Sequence, residues 1–320
     1  MASRRWTLQS HHTLENVPMH AYDIEPGDWH DGAPAPDSDG WCFGLPPGIA
    51  AAQWPLDPWS GYPMQHGFTL RLPPDYRVHG PDIVAVSFFA TAPDHNDGGP
   101  AGTVDGMHDA IATPAQALAD PALQPFRERA LQAHPRLRRM QDLLDCAYAL
   151  ILLRQEEVDG APCRPPPLVD SPLLQRTPPP EWLQVGSATV CEAWDARSVP
   201  LPQAPDRFAL HRPLRLRLRE HDPNAGVPPR ETFGDAPDPG GYQPFYYWQD
   251  GVVSREHYRE HDWAAGHAIN HLGGTMRPIQ GIPDFSPYYI EFDEAFGGYN
   301  FGGGIAQLDI QDLRLDWACG

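Results

Sequence analysis

The sequence predicts an α+β protein rich in antiparallel sheet, with one main helical segment at about 114–155 and long Pro/Gly-rich loops. Three observations carry this expectation. Short apolar runs of period two recur, as in Phe68, Leu70 and Leu72 and in Leu214, Leu216 and Leu218, the pattern of half-buried strands. The 39 Pro and 29 Gly of 320 residues punctuate the chain with turns, yet stay below the roughly 25–30% of low-complexity sequence. A sustained spacing of three and four appears in one place, at Leu137, Met140, Leu144, Tyr148 and Ile151 or Leu152, which is helical periodicity.

Taken in order, residues 1–40 are acidic and turn-rich, with six carboxylates between Asp23 and Asp39. Gly67 to Pro73 reads as a strand with one buried face. Pro81 to Ala90 is a continuous β-branched and aromatic run, which suits a strand buried on both faces. Ala90 to Gly106 is a loop by its Pro, Asp, Asn and Gly content. Thr113–Pro114 reads as an N-cap followed by Pro at the first helical position. That helix stops at Pro121, a second spans Pro125 to His134, and Pro135 to Gln155 reads as the longest. Residues 159–181 hold two triple-proline runs and read as a linker or extended arm. The division is then an N-terminal α+β half (1–158), the Pro-rich arm (159–181) and a β-rich half (182–320), the two halves being separate domains or one composite domain. In the second half, Trp182 to Trp194, Arg207 to Glu220, Gly241 to Gly251, Tyr288 to Glu294 and Phe301 to Ile310 read as strands. Period two places Leu214, Leu216 and Leu218 in the core and Arg215, Arg217 and Arg219 on an outer stripe.

Charge narrows the function. There are 42 acidic residues against 23 basic ones, a net of −19, and every basic residue is Arg. Such a chain repels nucleic-acid phosphates and anionic membranes at long range and attracts basic partners. The five cysteines (42, 146, 163, 191 and 319) are widely spaced with no Cys-x-x-Cys pair, which indicates neither a disulfide framework nor a zinc ribbon. The N-terminus MASRRWTLQSHH carries no apolar leader region, and no window approaches the 18 or so apolar residues of a membrane span. The cytoplasm is the expected compartment.

Several residue groups carry a candidate site beside a plainer reading. His257, His261, His267 and His271 fall in two pairs spaced four apart, which on a helix would place the paired rings on one face as in two-histidine metal sites. Glu256, Glu260 and Asp262 stand nearby; the plainer reading is a surface helix with histidines beside acids. The stretch Gly297 to Gly304 lacks the Gly-Lys-Ser/Thr of a phosphate loop and reads as a turn where backbones approach closely. Ser60 and Ser187 lack a nucleophile elbow, Cys42 sits between aromatics as a packed residue, and Glu291 and Asp293 read as one face of an edge strand. No cofactor is indicated. The acids Asp23, Glu25, Asp28, Asp31, Asp37 and Asp39 and the stripe Arg215, Arg217 and Arg219 are the candidate partner-binding residues. The stripe's plainer role is to neutralise an acidic patch of the same fold. Tyr242, Phe245, Tyr246, Tyr247 and Trp248 are core by default and a protein-binding hot spot where exposed.

Two blocks resemble a known family. The order Leu45-Pro46-x-Gly48, Trp54-Pro55 and Gly61-Tyr62-Pro63-Met64, then Leu272-Gly273-Gly274, Ile279-Gln280-Gly281 and Gln307-Leu308-Asp309, is similar to YwqG-like proteins. The resemblance spans 43–73 and 271–310 and implies an α+β fold with no assigned catalytic residues. The chain departs from it in the Pro-rich middle and in the histidines before Leu272. Members often occur beside polymorphic toxin genes, which implies an antitoxin-like role. The expectation is a cytoplasmic protein-binding module, most concretely an immunity protein that occludes a basic toxin or effector, with no nucleic acid or membrane as partner. The alternative is a metal-dependent hydrolase using His257, His261, His267 and His271; the sequence leans away from an enzyme.

Overall fold

A computed structural model describes residues 18–116, 118, 120–194, 200–231 and 241–320. Strands β1 (Tyr22–Pro26), β2 (Gly40–Phe43), β3 (Gln65–Arg71), β4 (Ala85–Ala90), β5 (Leu137–Gln141), β6 (Ala147–Leu153) and β7 (His211–Leu218) belong to a single large sheet. It also takes β10 (His271–Leu272), β11 (Tyr289–Asp293), β12 (Ile305–Asp309) and β13 (Arg314–Ala318), after the separate pair β8 (Tyr246–Trp248) and β9 (Tyr258–Glu260). The order is β13-β12-β11-β10-β1-β7-β2-β3-β4-β6-β5, every neighbour antiparallel. The expected class, α+β with antiparallel sheet dominant, holds. The N-terminal stretch read above as lacking a leader lies outside the described residues.

The sheet curls until its two edges meet. Trp317 on β13 donates its indole N–H to Asp142 Oδ2, just past β5, at 2.6 Å, giving a nearly closed, barrel-like sheet. The main core lies on its inner face. Ile24, Cys42, Phe68, Phe88, Tyr148, Leu214, Leu272, Phe292, Leu308 and Leu315 come from ten strands and belong to one buried cluster. On the outer face, Ala85, Phe89, Ala149, Ile151 and Leu153 form a second cluster with Trp54 and Trp182. Strands from both sides of 159–181 share the sheet, and that segment packs on it. Cys163 N–H donates to Pro46 O at 2.8 Å, and Leu173 and Leu174 are buried against Phe126 and Tyr62.

Three element assignments are corrected. Residues 135–155 are not a helix but the β5–β6 hairpin. Leu137, Met140, Leu144 and Tyr148 mimic a helical stripe, but Ala147–Leu153 is apolar on both faces because both are buried, and a run of that kind carries no usable period. Asp142 fixes the turn: its Oδ1 accepts from the N–H groups of Leu144 and Cys146, each at 2.9 Å. Among the described residues of the expected helical segment, the α-helical ones are α2 (Gln124–Ala130) and Gln155, with which a further short helix opens. The helix before α2, α1 (Met107–Ala112), ends at Thr113, so Thr113–Pro114 closes a helix instead of opening one. After the short α3 (Gln155–Val158), residues Trp182 to Trp194 are not a strand but α4 (Trp182–Val185) and α5 (Ser187–Trp194), split by Gly186 at φ 83°. Trp182 stacks on Trp54 at 5.9 Å and 15°; tertiary packing overrides a local alternation that suits either structure. Among the described residues no helix is long and apolar enough to cross a membrane.

Candidate functional site

A polar ladder crosses the outer face of the sheet. Arg217 lies opposite Asp23, Asp23 opposite His271, His271 opposite Glu291, Glu291 opposite Gln307, and Gln307 opposite Asp316. Directly paired residues of antiparallel strands share a face, so these six side chains form a row over six strands. The four central ones are buried: Asp23 and Gln307 at 2%, His271 and Glu291 at 0%. β11 is therefore not an edge strand, and Glu291 does not face water. Burial pushes the Glu291 carboxyl up to about 8, against the Arg277 backbone N–H that donates to it at 2.8 Å. Burial holds His271 well below its usual value. Both shifts favour the uncharged forms, His271 Nε2 lying 4.0 Å from Glu291 Oε2.

The cover over this ladder is held by Arg219. Its Nε donates to Asp23 Oδ1 at 2.7 Å, Nη1 to Asp222 Oδ2 at 3.2 Å, and Nη2 to the Ala268 carbonyl at 2.8 Å. Asp222 in turn accepts from Thr275 N–H at 3.0 Å and Thr275 Oγ1 at 2.7 Å. A buried charge is tolerated when paired and hydrogen-bonded in this way. Arg219 is thus 5% exposed and leaves the outer stripe that period two assigned to it, while Leu218 is 47% exposed and leaves the core. Gly273, at φ 61°, passes so close that a Cβ there would lie 1.9 Å from the Tyr76 hydroxyl; this explains a glycine in the Leu272-Gly273-Gly274 motif.

The acidic segment and the Arg stripe prove to be each other's partners. Arg215 Nη2 donates to Asp37 Oδ2 at 2.9 Å, Arg217 Nε to Glu25 Oε1 at 2.6 Å and Arg217 Nη2 to Asp23 Oδ2 at 2.8 Å. Asp39 Oδ2 accepts from Leu216 N–H at 2.8 Å. Asp28 and Asp31 are exposed. The stripe neutralises Asp23, Glu25 and Asp37 of the same fold.

The histidines do not share a helix. His257 ends a single 3-10 turn, His261 and His267 lie in connections and His271 is in β10. The spacing of four has no helical meaning on an irregular backbone. His257 Nδ1 lies 3.1 Å from the Gln249 carbonyl, and His261 stacks on Trp263. Among the described residues no three His, Cys, Asp or Glu side chains are gathered to hold a metal. The stretch Gly297–Gly304 wraps a carboxylate of its own chain. Glu294 Oε1 accepts from Gly303 N–H at 2.9 Å and from Phe301 N–H. Cys42 is fully buried, and burial pushes its thiol up to about 12, as a packed residue requires.

The exposed feature is the β8–β9 hairpin. Tyr246 pairs with Glu260, Tyr247 with Arg259 and Trp248 with Tyr258. One face carries Tyr246 stacked on Tyr258 at 5.1 Å and 23°, with Trp248 edge-on to Tyr258. The opposite face carries Tyr247 and Arg259, with His261 following in the same parity. An aromatic strip runs from Tyr247 to His261 (4.8 Å) to Trp263 (5.0 Å, 19°). Tyr247 is 44% exposed, and Val252 and Val253 at the tip are 45% and 69% exposed. Arg277 clamps the hairpin to the body: its guanidinium sits 4.6 Å over Phe245, bridges to Glu260 at 3.1 Å and donates to the Ala264 carbonyl at 3.1 Å. Trp54, Tyr62 and Tyr242 are core. Sequence reasoning named Tyr247 but missed His261 and Trp263 as its neighbours. It also missed the ladder, whose signal was a polar residue at the centre of β11, β12 and β13.

Comparison with family models, with curated proteins and with solved structures returned no match.

Proposed function

We propose that this protein is an acidic protein-binding module, working in the cytoplasm as an immunity protein that captures and occludes a basic toxin or effector. The observation that carries this reading is the aromatic strip Tyr247–His261–Trp263 with Arg259, presented on a hairpin outside the main sheet. Tyr, Trp and Arg are the residues that dominate binding energy at protein interfaces. The net charge of −19 supplies long-range attraction for a basic partner and speeds its capture. The resemblance to YwqG-like proteins supports a toxin-linked role by association only.

Affinity purification from the native host with mass spectrometry tests it. The wild type is expected to retain one stoichiometric basic protein. Tyr247→Ala, at the centre of the strip, is expected to weaken that complex by roughly 30-fold or more, the effect of a hot-spot truncation of about 2 kcal/mol. An unaccompanied wild type, or a partner held equally well by Tyr247→Ala, would sink the reading.

A further inference from the structure

The aromatic strip ends at a cleft. Trp263, stacked on His261, lines an open cavity of about 390 Å³ together with Asp23, Arg217, Arg219, Glu220 and Ala265. The charges around it are unequal. Asp23, Glu25 and Asp222 are engaged by Arg217 and Arg219, which leaves those two guanidiniums more than matched. Glu220 adds a further carboxylate at the rim; it is exposed and makes no hydrogen bond or ion pair among the described residues. Ala265 and Gly266 are exposed and small, and a Cβ at Gly266 would meet nothing within 4 Å, so this wall of the cleft stands open.

We infer that the cleft beside Trp263 seats a basic side chain, arginine or lysine, of the protein partner, with Glu220 as its counter-ion and the Trp263 indole as its aromatic wall. A cation near an indole gains from the ring quadrupole, and a carboxylate at the same rim adds a charge-assisted hydrogen bond. The inference rests on the protein-binding reading for its partner and adds the anchor: the strip supplies contact area, and the cleft selects charge. A carboxylate ligand is disfavoured, because both guanidiniums in the cleft already serve Asp23 and its neighbours.

The test uses the full chain and three blocked tripeptides, Gly-Arg-Gly, Gly-Lys-Gly and Gly-citrulline-Gly, the last nearly isosteric with the first but uncharged. The readout is the indole N–H resonance of Trp263, assigned with a Trp263→Phe variant. Saturable shifts are expected with the two cationic peptides and none with the citrulline peptide. Glu220→Gln, at an exposed position outside the sheet's core, should weaken the cationic peptides by about three- to fivefold. Ala265→Phe should close the cleft and abolish the shift. No saturable shift, an equal response to citrulline, or unchanged affinity in Glu220→Gln overturns the inference. Should the partner still be captured through Tyr247 in that event, the binding reading stands without this anchor. Should the partner be absent while the cationic peptides bind and respond to Glu220→Gln, the cleft stands and the toxin-binding reading falls.

Discussion

At the scale of single residues, the interior of the outer layer is set by groups that give up their charge. Glu291 keeps its proton up to about pH 8 when folded, against an ordinary value of 4.5. The unfolded chain therefore releases that proton first, and stability falls as pH rises between these values. Burial has the opposite consequence for histidine. His66 is lowered from 6.5 to about 4 and His271 lies well below 6.5, so the unfolded chain binds protons that the folded one refuses, and stability falls as pH drops below 6.5. Two histidines outweigh one glutamate below that point, and between pH 6.5 and 8 Glu291 sets the fall, before the buried thiols raised from 9.0 join it. The urea midpoint is expected to pass through a maximum near pH 6.5. Glu291→Gln, whose amide oxygen still accepts the Arg277 N–H, should flatten the alkaline limb and leave the acid limb in place. An alkaline limb that persists in Glu291→Gln would show that Glu291 does not carry it.

At the scale of elements, β8–β9 stands apart. It is a two-stranded sheet of three-residue strands, and such a hairpin is marginally stable by itself. Its order depends on the Arg277 clamp to Phe245, Glu260 and Ala264. Arg277→Ala should therefore raise hydrogen exchange in 246–260 by about tenfold or more, a change of about 1.4 kcal/mol in local opening. Exchange in β3, β4 and β6 should stay as it was. The same variant should weaken partner capture, because the strip would no longer be presented in one arrangement. Equal acceleration across the main sheet would show that the clamp serves the whole fold. Two of the three misassigned elements teach the complementary point. Ala147–Leu153 and Trp182–Trp194 are short apolar stretches whose type is decided by what covers them: two packed layers in the first case, and Trp54 with the β3–β6 surface in the second.

At the scale of the molecule, the sheet depends on a seam. β5 and β13 come together where the Trp317 indole donates to Asp142, which also accepts from the Tyr148 hydroxyl at 2.9 Å. Trp317→Phe keeps an aromatic ring and removes only the donor. A hydrogen bond to a carboxylate contributes about 1.5–3 kcal/mol, so the unfolding free energy from chemical denaturation should fall by about that amount. Amide exchange should rise first in β5 and β13. Unchanged stability would mean that side-chain packing alone closes the sheet. The charge of the molecule also acquires a shape. Asp23, Glu25 and Asp37 are locked to Arg215, Arg217 and Arg219, so the carboxylates open to solvent include Asp28, Asp31 and Glu220.

The sequence alone determined the class of fold, because period-two runs such as Gly67–Pro73 and dense turn residues leave few alternatives to antiparallel sheet. It determined the net charge, and it placed β3, β4, β7, β11 and β12, whose alternation or β-branched content is local information. The tertiary structure decided what depends on contacts between distant segments. It paired Asp23 with Arg217 and His271, buried Arg219, enclosed Glu291 and scattered the four histidines. It also joined Tyr247 to Trp263 through His261 and set Trp263 and Glu220 around one cavity. Side-chain environment in a sheet is set by strand order and register, and these come from loops that bring residues hundreds of positions apart to face one another.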